Sequence, residues 1–120
     1  MSLGYLNFMS HRVEQVNELL QRELSNLILR IAPLENGLIT ITYVKCGADL
    51  KNATIGISVL PERLTGTALR HLKKLSGQLS KELNKKLKIK FIPKFYWELD
   101  SLERNAIEID RAIAEANEEN

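Results

Sequence analysis

Apolar residues in the first third of the chain recur three and four positions apart: Val13, Val16, Leu19, Leu20, Leu24, Leu27, Ile28 and Ile31. That spacing lines them up on one stripe of a helix of about six turns. Ser10 stands just before it as a candidate N-cap. Pro33 and the Asn36-Gly37 pair predict that the helix stops and the chain turns. Residues 1–9 lack the period and are expected to form a flexible N-terminus, with Met9 a candidate natural start.

The period then drops to two. Residues 38–45 (LITITYVK) are β-branched and alternating, and residues 52–60 (NATIGISVL) alternate again. Ala53, Ile55, Ile57 and Val59 take one side of the second segment; Thr54, Gly56 and Ser58 take the other. The pair predicts an antiparallel hairpin closed by Pro61. Thr65 or Thr67 is then placed to cap a second helix. Its apolar positions Ala68, Leu69, Leu72, Leu75, Leu79 and Leu83 span an arc of roughly 120°.

Residues 87–99 predict a third strand, with Leu87, Ile89, Phe91, Phe95, Trp97 and Leu99 on the core parity. Lys88, Lys90, Lys94 and Tyr96 share the opposite parity, which leaves Tyr96 free to stack on a base. Pro93 cannot donate to a ladder, so an edge, a bulge or a break is expected there. Asp100 or Ser101 can cap a last helix striped by Ala106, Ile109, Ala112, Ile113 and Ala116. The order α-β-β-α-β-α predicts an α+β fold with a three-stranded sheet and helices packed on one face. One domain over residues 10–100 would be followed by an acidic helix and tail at 101–120.

Composition adds limits. A chain of 120 residues with 44% apolar and 27% charged residues is sized for one core. Its longest apolar runs are only a few residues, too short for a membrane-spanning helix. The single cysteine, Cys46, has no partner for an internal disulfide. With no export signal legible in the sequence, a reducing cytoplasm is the expected compartment.

Charge changes the picture more. The net charge is only +2, but it is segregated. Residues 70–94 carry Arg70, Lys73, Lys74, Lys81, Lys85, Lys86, Lys88, Lys90 and Lys94 against Glu82 alone. Residues 95–120 carry eight acids against Arg104 and Arg111. A block of like charges repels itself, and a polyanion relieves that repulsion. Arg70, Lys73, Lys74, Lys81 and Lys85 fall opposite the apolar stripe of the second helix, with Gly77 among them. A glycine inside a helix costs about 0.5–1 kcal/mol relative to alanine. At that position it would let a ligand backbone come close, or bend the helix. The bland alternative for the lysines is a solvated helix face.

Catalytic chemistry finds little support. His11 and His71 are isolated, and a surface role suits both. Cys46 lacks a C-x-x-C partner and reads as a small, part-buried hydrophobe. Asp49, Glu98 and Asp100 could meet as a carboxylate cluster, but caps and turns are the commoner use of such residues. There is no P-loop, no G-x-G-x-x-G and no G-x-S-x-G. No metal and no cofactor is called for. The expectation is a binding protein rather than an enzyme.

The α-β-β-α-β order with a basic second helix resembles a KH-type RNA-binding fold. More narrowly, residues 10–110 resemble the ribosome-binding factor A family of bacterial small-subunit assembly factors. Three stretches carry the resemblance. One is Arg12-Val13 through Glu23-Leu24-Ser25, similar to the family's opening helix. Another is Val44 followed by Ala48-Asp49-Leu50-Lys51-Asn52-Ala53-Thr54-Ile55-Gly56-Ile57-Ser58-Val59, similar to its hairpin. The third is Lys90-Phe91-Ile92-Pro93-Lys94-Phe95-Tyr96-Trp97-Glu98-Leu99-Asp100, similar to its last strand. The family has an Ala-x-Gly kink in place of the KH G-x-x-G loop. Here the matching positions are Leu75-Ser76-Gly77, with the glycine present and the alanine absent.

The resemblance implies binding to the small ribosomal subunit or its precursor rRNA during late maturation, beside ribosomal protein. The expected RNA-contacting residues are Arg70, Lys73, Lys74, Ser76, Gly77, Lys81, Lys85, Lys88, Lys90 and Lys94. A monomer without a membrane partner is expected. The alternative partner for the same face is an acidic protein.

Overall fold

The computed structural model describes residues 3–100, with side chains from residue 11 onward. The expected C-terminal helix at 101–120 lies outside the described residues. The elements are α1 (Leu3–Ile31), β1 (Leu38–Cys46), β2 (Asn52–Leu60), a short 3-10 turn (Glu62–Leu64), α2 (Thr65–Lys86) and β3 (Lys94–Leu99).

α1 begins at Leu3, not at the expected Ser10 cap. Once the packed stripe has nucleated a helix, each further residue adds a hydrogen bond, and no proline between Leu3 and Ser10 stops it. The stripe itself is as expected: Leu20, Leu24, Leu27 and Ile28 are buried, and Val16 and Ile31 pack at its margin. α1 is also tied to the first strand by polar contacts. Asn17 Oδ1 accepts the Cys46 N–H at 2.8 Å, and Gln21 Nε2 donates to the Ile41 carbonyl at 3.4 Å.

The sheet has the order β1-β2-β3. β1 and β2 form the expected antiparallel hairpin, but β1 does not alternate strictly. The register jumps between Ile41 and Tyr43, so Thr42 is an extra residue, a β-bulge. The bulge shifts parity along the strand: Ile39, Ile41 and Val44 all face the helices. β3 lies parallel to β2, with Ala53 opposite Phe95 and Ile55 opposite Trp97. Both helices cover the same face, where Leu72, Leu79 and Leu83 of α2 meet Ile55, Ile57, Phe95 and Trp97. The Phe95 and Trp97 rings sit edge to face, with centroids 5.8 Å apart.

α2 has no side-chain cap from either threonine. It grows out of the 3-10 turn, and the Thr65 hydroxyl donates back to the Glu62 carbonyl at 2.7 Å. β3 is shorter than expected, because Leu87–Pro93 is not strand. Of the edge, bulge or break expected at Pro93, the structure has a break, with β3 starting at Lys94. The break also undoes the parity rule before it. Phe91, expected in the core, is 73% exposed, while Pro93 is buried.

The uncovered face of the sheet carries one connection across all three strands. Tyr43 of β1 lies over Gly56 of β2, where a Cβ would run into the ring. Its hydroxyl donates to Glu98 Oε1 of β3. That hydrogen bond, together with burial and the Glu98 and Asp100 charges, pushes the Tyr43 phenol up from 10.0 to about 12. The native state therefore holds this proton more tightly than the unfolded chain does. The stability it contributes is complete below pH 10 and is lost as the pH rises to about 12. A tyrosinate absorbance titration of the folded protein should show one phenol ionising late. Glu98→Gln should bring that step back toward 10.0. A late step that survives Glu98→Gln would assign the shift elsewhere.

Candidate nucleic-acid interface

The parallel β2–β3 pairing requires a crossover, and α2 is that crossover. After α2 ends, the chain must return to the level of Asn52 to start β3, and the Lys94 N–H bonds the Lys51 carbonyl there at 2.9 Å. Leu87–Pro93 therefore lies on the surface between α2, the β1–β2 turn and α1. Its lysines are carried in with it.

Two shallow grooves flank Gly77. One is lined by Lys51, Lys73, Ser76, Gly77, Ser80 and residues 92–95, including Lys94. The other is lined by Gly77, Ser80, Lys81, Asn84 and residues 90–92, including Lys90. On α2 the residues Lys73, Gly77, Ser80 and Asn84 are spaced four, three and four apart, so they form one row along the helix. A Cβ at Gly77 would meet nothing within 4 Å. Among the described residues no side chain packs over it, and the floor of the groove there is bare helix. The helical hydrogen bonding continues through Gly77 without interruption from Thr65 to Lys86.

Of the expected site residues, Lys73, Gly77, Lys81, Lys90 and Lys94 are thus gathered around these grooves. Lys88 lies on the other side of the returning segment, with Lys51 and Arg12. Arg70, Lys74 and Lys85 are exposed but line neither groove. Arg70 reaches Thr67 at 3.4 Å, and Lys85 pairs with Glu82 at 3.1 Å. Ser76 lines one groove, but its hydroxyl is engaged inward. It donates to the Leu72 carbonyl and accepts the Trp97 indole N–H, both at 2.7 Å. This chain of two bonds fastens β3 to α2.

The sequence reading missed Lys51, Arg12, Ser80 and Asn84. The row at four, three and four could have pointed to Ser80 and Asn84. Nothing in the order of residues could have pointed to Arg12 or Lys51. Electrostatically the site is unneutralised: among the described residues, Arg12, Lys51, Lys73, Lys81, Lys88, Lys90 and Lys94 make no ion pair.

The candidate catalytic groups do not converge. Asp49 is in the β1–β2 turn, accepting the Lys51 N–H at 3.0 Å, while Glu98 and Asp100 are at the far end of β3. His71 is half-buried, with Nε2 3.1 Å from the Ala32 carbonyl, so it helps join α2 to the end of α1 rather than standing free at the surface. Among the described residues His11 pairs only with Gln15. Burial pushes the Cys46 thiol up, away from the reactive thiolate. Among the described residues no cluster of His, Cys, Asp or Glu could hold a metal ion, and no helix is long and apolar enough to cross a membrane.

A three-stranded sheet with helices on one face, in the order α-β-β-α-β, defines a KH-like domain, here with lysine-lined grooves along its second helix. The family profile described as ribosome-binding factor A matches residues 12–113. A ribosome-binding factor A from Opitutus terrae is 36% identical over 93 residues, covering 77% of this chain and 76% of its own. One from Stutzerimonas stutzeri is 35% identical over 114 residues, covering 87% and 88%. The chain belongs to the ribosome-binding factor A family. The fold agrees with a crystal structure of ribosome-binding factor A from Thermus thermophilus, at a TM-score of 0.64 and 19% identity over 72% of this chain and 93% of that one. A homology model of Thermus thermophilus ribosome-binding factor A, as fitted into a cryo-EM map of a 30S–ribosome-binding factor A complex, aligns at a TM-score of 0.60 and 19% identity, covering 68% of this chain and 88% of that one.

The Ser76 relay yields a stability prediction. Ser76→Ala leaves the indole N–H of Trp97, which is 7% exposed, without its partner. Denaturant unfolding should show a loss of about 1–2 kcal/mol, typical of an orphaned buried donor. Unchanged stability would mean that the relay does not hold β3 in place.

Proposed function

We propose that the chain binds the small ribosomal subunit, or its precursor rRNA, during late maturation, as a monomer and without catalysis. The surface used is the groove between α2 and the returning segment. The observation that carries this reading is the set of cations, without ion pairs among the described residues, around the bare backbone at Gly77. Lysine heads neutralise phosphates and release counterions, and a missing side chain lets the strand lie close to the helix. Recognition comes from RNA shape and adjoining ribosomal protein rather than from base edges, because few side chains here suit base reading. Membership of the ribosome-binding factor A family supports the reading, as does the relative seated in a 30S complex. The cytoplasm follows as the site of action.

Co-sedimentation with small subunits across a salt series tests it. With about five or six phosphates neutralised, log K should fall against log salt with a slope of about −4. A slope near zero would remove phosphate contact as the source of affinity. The double variant Lys73→Ala/Lys81→Ala should weaken binding more than Lys74→Ala/Lys85→Ala, which removes equal charge outside the grooves. Equal losses would move the site off the grooves. Captured complexes that survive nuclease treatment would favour an acidic protein as the partner.

Gly77→Ala separates fold from binding. With open space at the new Cβ, the helix should gain roughly 0.5–1 kcal/mol in thermal unfolding. Binding to small subunits should nevertheless weaken. A stabilised variant with full affinity would show that nothing approaches the helix there.

A further inference from the structure

Across the returning segment from the Gly77 grooves lies a recess of about 750 Å³, within the roughly 300–1,000 Å³ range of small-ligand sites. It shares Lys51, Lys90, Phe91 and Ile92 with the grooves, so a strand leaving them crosses the ridge at residues 90–92 and arrives here. Its wall is chemically two-sided. Val16, Leu50, Ile89 and Ile92 supply an apolar floor, while Arg12, Lys51, Lys88 and Lys90 surround it with positive charge. The one acid in the lining, Asp49, has an oxygen engaged by the Lys51 N–H.

Two features set this recess apart from a solvated lysine surface. Phe91 stands at its edge 73% exposed, with Lys90 Nζ 5.5 Å from the ring centroid. An exposed phenyl ring with a cation held over it attracts a flat, electron-rich ring. Leu50 has φ 60, the left-handed conformation that favours glycine, and it sits in the wall of the recess. A flat ring attached to an anion is a nucleotide.

We propose that this recess holds one unpaired nucleotide of the bound RNA strand, its base on Phe91 and its phosphate among Arg12, Lys51 and Lys88. This rests on the RNA reading above and adds to it a second, base-contacting subsite on the α1 side of the ridge. An acidic peptide would satisfy the cations but leave the exposed ring unused, so a nucleotide fits better.

The test uses the full chain with 5′-labelled hexauridylate followed by fluorescence anisotropy, and amide NMR shifts as the map. Hexauridylate should shift the amides of Leu50, Lys51 and Ile89–Ile92 as well as those beside Gly77. Phe91→Ala should weaken hexauridylate by about fivefold or more, the effect of losing one base–aromatic stack. Phe91→Tyr should restore it, and Arg12→Gln should weaken it and flatten its salt dependence. Thermal unfolding of Phe91→Ala should be unchanged, because the ring is exposed.

Affinity unaltered in Phe91→Ala overturns the proposal. So does a hexaglutamate peptide that displaces hexauridylate from the recess and is itself insensitive to Phe91→Ala. Uridine 5′-monophosphate binding as tightly as the hexamer would make the ligand a free nucleotide and overturn the strand assignment. Loss of hexauridylate and small-subunit binding in Lys73→Ala/Lys81→Ala, with Phe91→Ala neutral, would sink this subsite alone and leave the groove reading standing. The reverse result would sink the groove reading.

Discussion

The parallel pairing of β3 with β2 is the constraint on which the rest of the structure depends. Antiparallel β3 could have followed β2 through a tight turn; parallel β3 must be reached by a crossover. That requirement sends α2 across the sheet and then returns the chain through Leu87–Pro93 to the level of Asn52. The same register sets Trp97 opposite Ile55 on the covered face, where its indole meets Ser76. A one-residue slip would turn Phe95 and Trp97 outward and Lys94 and Tyr96 into the core. Core and candidate interface are therefore specified by one pairing: what holds β3 down is also what brings Lys88, Lys90 and Lys94 beside Lys73 and Lys81.

The electrostatics follow from that placement. The described ion pairs of this region, Lys85–Glu82 and Lys86–Glu23, lie toward the C-terminal end of α2. Among the described residues the lysines facing the grooves and the recess make no ion pair, and each stays exposed so that water carries the cost of its charge. Such a surface does not stabilise the fold, because exposed like charges only repel. It makes sense as a standing potential, strongest where the lysines of α2, of the β1–β2 turn and of the returning segment converge. Gly77 belongs to the same logic. It removes a side chain where none is needed for packing and gives up some helix stability for a bare approach to the backbone.

The uncovered face of the sheet is organised differently. There the β1 bulge, Gly56 and Glu98 cooperate to lay Tyr43 across all three strands. Lys45 sits over the Tyr43 ring at 4.8 Å, adding a cation to the aromatic brace. This face is a structural brace at its centre, unlike the α2 side.

Residue order alone determined the helical stripe from Val16 to Ile31, the inward parity of Ala53 to Val59 and the apolar arc of α2. Each is a local periodicity, and burial of one face rewards it wherever the element ends up. The opening helix also had a readable stripe but not a readable start, because extension from Leu3 depends on a helix already nucleated elsewhere. Tertiary structure alone decided the parallel sense of β3, the bulge at Thr42, the exposure of Phe91 and the inward use of Ser76. It also decided which lysines share a groove. Lys74 and Lys73 are adjacent in sequence, yet only Lys73 lines one, while Lys51 and Arg12 come from distant segments to join Lys88. Charge content is written in the chain, but which charges face each other depends on how the crossover folds them back. That is a matter of long-range pairing, which no local period encodes.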